Sequence, residues 1–467
     1  MAVWQRNINL NDSMRNEGGN VIQKNSTHDV TFTDLTHDAM GVAKIDGFPV
    51  FVKDALKGEK GQIKIIKVNK NFAFGKLLTL HEPSPFRKKP ICEHFDTCGG
   101  CNIMHMNYEM QLSFKKHRVK ETLKKISGIS PPIGNTVAMN NPYYYRNKAI
   151  IPFGEQDGRV VAGLYKSRSH EIVDLRRCHI FPKIYSDIIR AVKALVIEHD
   201  IDVYDEETHD GLLRAIMLRH SESTGDISLT FIMTSGKLPK KEIIIQSIVE
   251  RFPVISNINV NINQDKTNVL LSSKSKTLYG KDEMKDTLLG IEYTFNHRSF
   301  YQINPAQTEK LYRAAIDLAD LKKTDTVIDS YCGIGTIGLT AAKHVKAVIG
   351  FDVVKDSIRS AQLNAKNNDI ENARFIQGKA EDVLPDLKSE QVDVLFIDPP
   401  RKGCHKEFLD TVIAMGIPKV VYISCNVSTF ARDTSILNAG GYKVTSVTPF
   451  DMFPQTSHIE TLALLTK

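Results

Sequence analysis

No run of about eighteen consecutive apolar residues occurs in the 467-residue sequence, which excludes a membrane-spanning helix. The first twenty residues are polar and lack the apolar core of a secretion signal. Residues 1–20 therefore read as a flexible extension of a cytoplasmic protein. Cysteine is scarce, seven in all, and without a secretion signal these do not make a disulfide framework. No internal repeat is present, so repeat arrays are excluded. At this length two or three domains are expected rather than one core.

What the chain does have is unevenly placed. Between Phe51 and Pro90 ten Lys or Arg face three acids, a local surplus as large as the whole chain's +7. Such a stripe suits a polyanion such as RNA, although charge runs are often only a solvated face. Over residues 21–81 short apolar runs such as Pro49-Val50-Phe51-Val52 alternate with glycine-marked turns. This pattern predicts a small β-barrel of about five strands. The proline-rich segment from Glu82 to Pro90 reads as a linker, and a basic helix is expected from Tyr108 to Ile126. Residues 82–290 form a central α+β domain, in which segments such as Ile227–Ile232 suggest an antiparallel sheet.

From residue 291 onward the pattern is α/β. Strands are expected at Val327–Asp329, Ala347–Asp352, Arg374–Ile376, Val392–Asp398, Lys419–Ile423 and from Tyr442, with helices between. A seventh, Ile459–Leu465, follows a loop too short for a helical crossover and should be antiparallel. This predicts a doubly wound, mostly parallel seven-stranded sheet of the adenosylmethionine-dependent methyltransferase kind.

Several strand ends carry chemistry. Gly333-Ile334-Gly335-Thr336-Ile337-Gly338 is a glycine-rich turn that alone fits a nicotinamide site as well. Asp352 follows at the end of the next strand, where a carboxylate binds ribose hydroxyls. Asp398-Pro399-Pro400-Arg401 has arginine where amine-methylating enzymes need an aromatic, which disfavours amine and favours carbon as the acceptor. Ser424-Cys425-Asn426 then supplies a thiol. Uracil C5 is a poor nucleophile until a thiolate adds at C6, and a base must afterwards remove the C5 proton. Cys425 suits the first role and Glu460 the second. Taken singly, Cys425 also reads as a small buried hydrophobe and Glu460 as a solvated acid, while Cys332 and Cys404 read as core.

Cys92, Cys98 and Cys101 crowd into ten residues but lack the second pair of a zinc ribbon. With the distant Cys178 they could hold a [4Fe–4S] cluster. Zinc is the competitor, using Cys178 or a histidine such as His94 or His105.

These residues together resemble the bacterial RNA uracil-5-methyltransferases, in particular the iron–sulphur type acting on 23S ribosomal RNA. Gly41-Val42-Ala43-Lys44 and Asp46-Gly47 resemble a TRAM domain, Ser299–Pro305 the family's entry segment, and His458-Ile459-Glu460-Thr461 its closing motif. The resemblance implies [4Fe–4S] ligation by Cys92, Cys98, Cys101 and Cys178. It also implies S-adenosyl-L-methionine contacts at Gln302, Tyr331, Asp352 and Asp398, with catalysis by Cys425 and Glu460. Ser330 and Gln455 depart from the usual leucine and histidine. Members acting on tRNA generally lack barrel and cluster, so both features favour ribosomal RNA as the partner. The alternatives are the same chemistry on tRNA, cytosine-5 methylation, and a non-catalytic ribosome assembly factor.

Overall fold

The structure, a computed structural model, describes residues 13–15 and 21–467 apart from residue 268. The expected extension 1–20 thus lies largely outside the described residues. The chain forms two compact units. The smaller comprises residues up to Ile91 with Cys101–Gln111 and Gln455–Ser457, and the larger comprises Cys92–Gly100, Leu112–Pro454 and His458–Lys467.

The smaller unit is built on a six-stranded sheet. Its order is Thr27–Thr31, Lys60–Val68, Ala73–Glu82, Phe48–Val52, Gly41–Ile45 and Asp34–Leu35. The sixth strand, absent from the five expected, is only two residues long and too short for a periodic pattern. Alternation in the second strand turns Ile63 and Ile65 into a core with Val30, Phe32, Val50 and Val52. The intervening Lys64 faces outward, directly opposite Lys76 on the neighbouring strand. The expected linker is strapped down: Arg87 donates through Nε and Nη2 to the buried carboxylate of Glu59, at 2.5 and 2.7 Å. That carboxylate also accepts from the Leu56 and Ser84 backbone N–H groups.

In the larger unit the middle sheet has seven strands, with Ile227–Met233 and Ile255–Ile262 fifth and sixth in order. These two run parallel, which corrects the purely antiparallel expectation. The helix Lys241–Arg251 connects them, and a strand–helix–strand crossover returns the chain in the same direction. A hairpin follows, Met284–Leu288 with Ile291–Phe295. Its two turn residues, Leu289 and Gly290, both have positive φ, as a type I′ turn requires.

The last sheet has strands β1 (Thr326–Ser330), β2 (Ala347–Asp352), β3 (Ala373–Gln377), β4 (Val394–Ile397), β5 (Lys419–Ser424), β6 (Lys443–Phe450) and β7 (Glu460–Thr466). Their order is β3-β2-β1-β4-β5-β7-β6, and β7 is antiparallel to both neighbours. Apolar residues cover both faces, one cluster including Val327, Phe396 and Val421, the other Ile328, Leu395 and Tyr422. No helix among the described residues is long and apolar enough to cross a membrane.

Candidate active site

The parallel strands deliver their C-terminal ends to one edge of the sheet, where ligands bind in doubly wound folds. After β1 the chain turns through Gly333 and Gly335, both left-handed, into the helix Thr336–Ala342. Asp352 at the end of β2 accepts from the Gly333 N–H (3.1 Å) and the Val354 N–H (2.7 Å), fixing the turn against the next strand. The side chains of Val353 and Val354 are more than half exposed, an apolar surface directly beside that carboxylate. The Tyr312 hydroxyl lies 3.2 Å from Thr336 Oγ1 and meets the Gln302 side chain, linking Gln302 to the same turn.

Strand pairing sets the second half of the site. Ser424 is in register with Thr461, and the Thr461 hydroxyl donates to the Ser424 carbonyl at 3.1 Å. Continuing that antiparallel register brings Cys425 opposite Glu460. Cys425 stands between β5 and the helix Val427–Ala439, whose first turn is capped by Asn426 accepting from the Ser428 N–H.

Burial dominates the electrostatics. Asp398 is pushed up to about 7 by burial. Glu460 is raised well above the usual carboxylate range by burial and then by Asp398, with Arg401 opposing. The Cys425 thiol rises to about 11, first by burial and then by Glu460 and Asp398, again with Arg401 opposing. Those four side chains therefore share one electrostatic neighbourhood. An anion formed at Cys425 or Glu460 is favoured there by Arg401.

The Asp398–Cys404 loop is held by the helix that follows Cys425. Asn426 and Thr429 both donate to the Arg401 carbonyl. Asp433, fully buried, accepts from the Cys404 N–H (2.8 Å), the Tyr422 hydroxyl (2.6 Å) and Arg432 Nε (2.7 Å). Gly403 is left-handed, and a Cβ there would stand 2.5 Å from Arg432 and 2.6 Å from Asp433.

Tyr331, another predicted site residue, directly follows β1. It is left-handed (φ 60°), its ring packs edge-on against Phe408, and its hydroxyl is buried without a hydrogen-bond partner near Cys404. Sequence reasoning missed Asp329. Its Oδ2 accepts from the Gly338 N–H at 2.7 Å and its Oδ1 is buried and unpartnered. Burial, then Asp398 and Asp352, push it up to about 8, against the Gly338 hydrogen bond. The signal was present as an acid at the end of an apolar strand. Tyr312, a core residue of the helix Pro305–Ala319, gave no signal.

Of the four predicted cluster ligands, Cys92, Cys98 and Cys178 belong to the larger unit and Cys101 to the smaller. Burial pushes the Cys178 thiol up to about 11, and Cys98 and Cys92 add to the rise, so these three are neighbours. The His94 Nε2 faces the Arg176 N–H at 3.4 Å. Among the described residues no group of three or more His, Cys, Asp or Glu is arranged to hold a metal ion.

A seven-stranded sheet of this order, with a glycine turn, an acid and a thiol at its strand ends, defines an adenosylmethionine-dependent methyltransferase. Orphaned buried polar atoms at Tyr331 and Asp329, and the apolar surface beside Asp352, fit such a donor. A family model described as tRNA (Uracil-5-)-methyltransferase matches residues 254–467, and a TRAM domain model matches residues 23–78. An uncharacterized RNA methyltransferase of Bacillus cereus is 44% identical over 449 residues, 96% of this chain and 98% of the relative. One from Listeria monocytogenes is 43% identical over 447 residues, 95% of this chain and 98% of the relative. The crystal structure of Pyrococcus abyssi tRNA (uracil-54, C5)-methyltransferase in complex with S-adenosyl-L-homocysteine matches with a TM-score of 0.76 and 26% identity. That match covers 94% of this chain and 99% of the other. The chain belongs to the RNA uracil-5-methyltransferase family and is an RNA-methylating enzyme with a TRAM domain.

Proposed function

We propose that this enzyme methylates C5 of a uridine in 23S ribosomal RNA, with Cys425 as nucleophile and Glu460 as base. The observation that carries this reading is the register that sets Cys425 opposite Glu460 beside Asp398 and Arg401. Bound adenosylmethionine supplies an electrophilic methyl group. Asp352 and the Gly333–Gly335 turn hold its ribose, and Gln302, Tyr331 and Asp398 contact the rest. Cys425 adds as thiolate to uracil C6, which makes C5 nucleophilic. Arg401 favours the thiolate by its charge. After methyl transfer Glu460 takes the C5 proton, the C6–S bond breaks, and the thiolate leaves. A flipped-out uridine is required, since a stacked base hides C6.

The basic barrel face supports an RNA partner: Lys64 directly opposite Lys76 is unfavourable unless an anion lies across the pair. A cytoplasmic location goes with that partner. We assign Cys92, Cys98, Cys101 and Cys178 to a [4Fe–4S] cluster, supported by the all-sulphur donor set and the closeness of three of its members. Anaerobic purification should give about four irons per chain; stoichiometric zinc would reject the assignment. Transfer RNA is the second reading. The archaeal tRNA enzyme matches 94% of this chain, so the barrel does not separate the two substrates as the sequence suggested. Mapping 5-methyluridine in cells lacking the protein decides between them. Loss from 23S ribosomal RNA is expected, whereas loss from tRNA alone would move the assignment to tRNA.

A further inference from the structure

Next to the crevice, the larger unit carries a second cleft of about 590 Å3. Its lining includes Arg146, Lys148, Tyr165, Lys166, Arg168 and Phe181, and no Asp or Glu. One of these cations is already answered, because Lys166 pairs with Glu171. Lys148 is not: the charges it feels are those of Arg219 and Arg146, both positive. Arg219 is committed to the carbonyls of Asn296 and Ser299 in the interior. Arg146 has its Nε buried with no hydrogen-bond partner, and its guanidinium lies 5.8 Å from the Phe181 ring centre. Two cations therefore face the cleft without counter-ions, an arrangement that costs free energy until an anion enters.

The cleft is continuous with the catalytic machinery through two links. Ile303 lines it and is the chain neighbour of Gln302, whose carbonyl accepts from the Asn147 side chain between Arg146 and Lys148. Arg146 also acts on His458, two residues before Glu460. That ring is pushed down to about 4 by burial and by Arg401, Arg118, Lys115 and Arg146. Arg146, at the cleft, and Arg401, at the thiol and base, therefore both act on the same ring.

We propose that this cleft holds backbone phosphates flanking the target uridine, with the half-buried Lys148 and Arg146 as the inner contacts and Arg168 at the rim. The assignment rests on the RNA reading above and adds to it the place where the strand is gripped. Phosphate rather than base is the ligand chemistry. The ring of Phe181 is buried, and the Tyr165 ring is packed edge-on with His170 while its hydroxyl donates to Glu206, so the cleft offers cations rather than an open aromatic platform. Burial, then Arg219 and Arg146, push the Lys148 ammonium down to about 7, and a phosphate beside it would restore its charge.

The test uses the full chain with Lys148→Gln and, at an exposed position that leaves folding intact, Arg168→Glu. RNA affinity is measured against salt concentration, together with KM, kcat and adenosylmethionine binding. Each variant should lower the salt slope by ~0.7, the value for one single-strand phosphate contact. The KM for RNA should rise about tenfold, with kcat and donor binding unchanged. Wild-type methylation with both variants matching it in slope and KM would overturn the cleft and leave the function standing. Wild-type enzyme transferring no methyl to RNA, while Arg168→Glu still weakens RNA binding, would sink the uridine reading and support the cleft.

Discussion

Cys425 sits where an acid pair opposes its ionisation and one arginine favours it. With the thiol raised to about 11, the thiolate fraction of the unliganded protein grows about tenfold per pH unit below that value. The sign follows from charge: Glu460 and Asp398 repel the anion, and Arg401 attracts it. Iodoacetamide labelling of Cys425 in the unliganded protein should therefore accelerate steadily from pH 7 to 10. Arg401→Gln should slow it at every pH in that range. Faster labelling of the arginine-free variant would show that Arg401 does not act on the thiol. The positions of Cys425 and Glu460 were legible because each stands at a strand boundary, at the end of β5 and the start of β7. Arg401 was noticed only for not being aromatic, since the two side chains it acts on come from other strands.

At the scale of elements, the loops matter as much as the strands. The left-handed Gly403 lies against Arg432 and Asp433, so Gly403→Ala should cost about 1–3 kcal/mol from backbone strain alone. It should also lower kcat, because the same loop carries Asp398 and Arg401; a lowered Tm with full kcat would detach the loop from catalysis. A second element is fixed by a buried ion pair. Lys115, on the helix Tyr108–Ser127, pairs with Asp451 just after β6 and donates to the Phe453 carbonyl at 3.1 Å; both charged side chains are fully buried. Lys115→Ala removes one partner of this buried pair and should destabilise by about 3–5 kcal/mol, read by chemical denaturation. The sequence showed Lys115 only as one of several lysines on a basic helix. Nothing in its spacing separates a buried lysine from a solvated one, because the partner lies 336 residues away.

For the whole molecule, the doubly wound sheet was legible strand by strand, including the antiparallel β7 deduced from a short loop. The parallel pair in the middle sheet was not, since Lys241–Arg251 carries only two buried residues and gives little helical signal. The six-stranded barrel sheet was read one strand short. The barrel does not single out one substrate: the family resemblance tied it to ribosomal RNA, whereas a tRNA enzyme matches nearly the full chain. The proposed catalysis turns on a transient bond between Cys425 and the uracil ring. RNA carrying 5-fluorouridine at the target position, incubated with enzyme and adenosylmethionine, tests it directly by mass spectrometry, because fluorine cannot leave as a proton. A stable conjugate of protein, RNA and methyl group mapped to Cys425 is predicted. Full turnover by Cys425→Ala, or a conjugate mapped to Cys332 or Cys404, would contradict it.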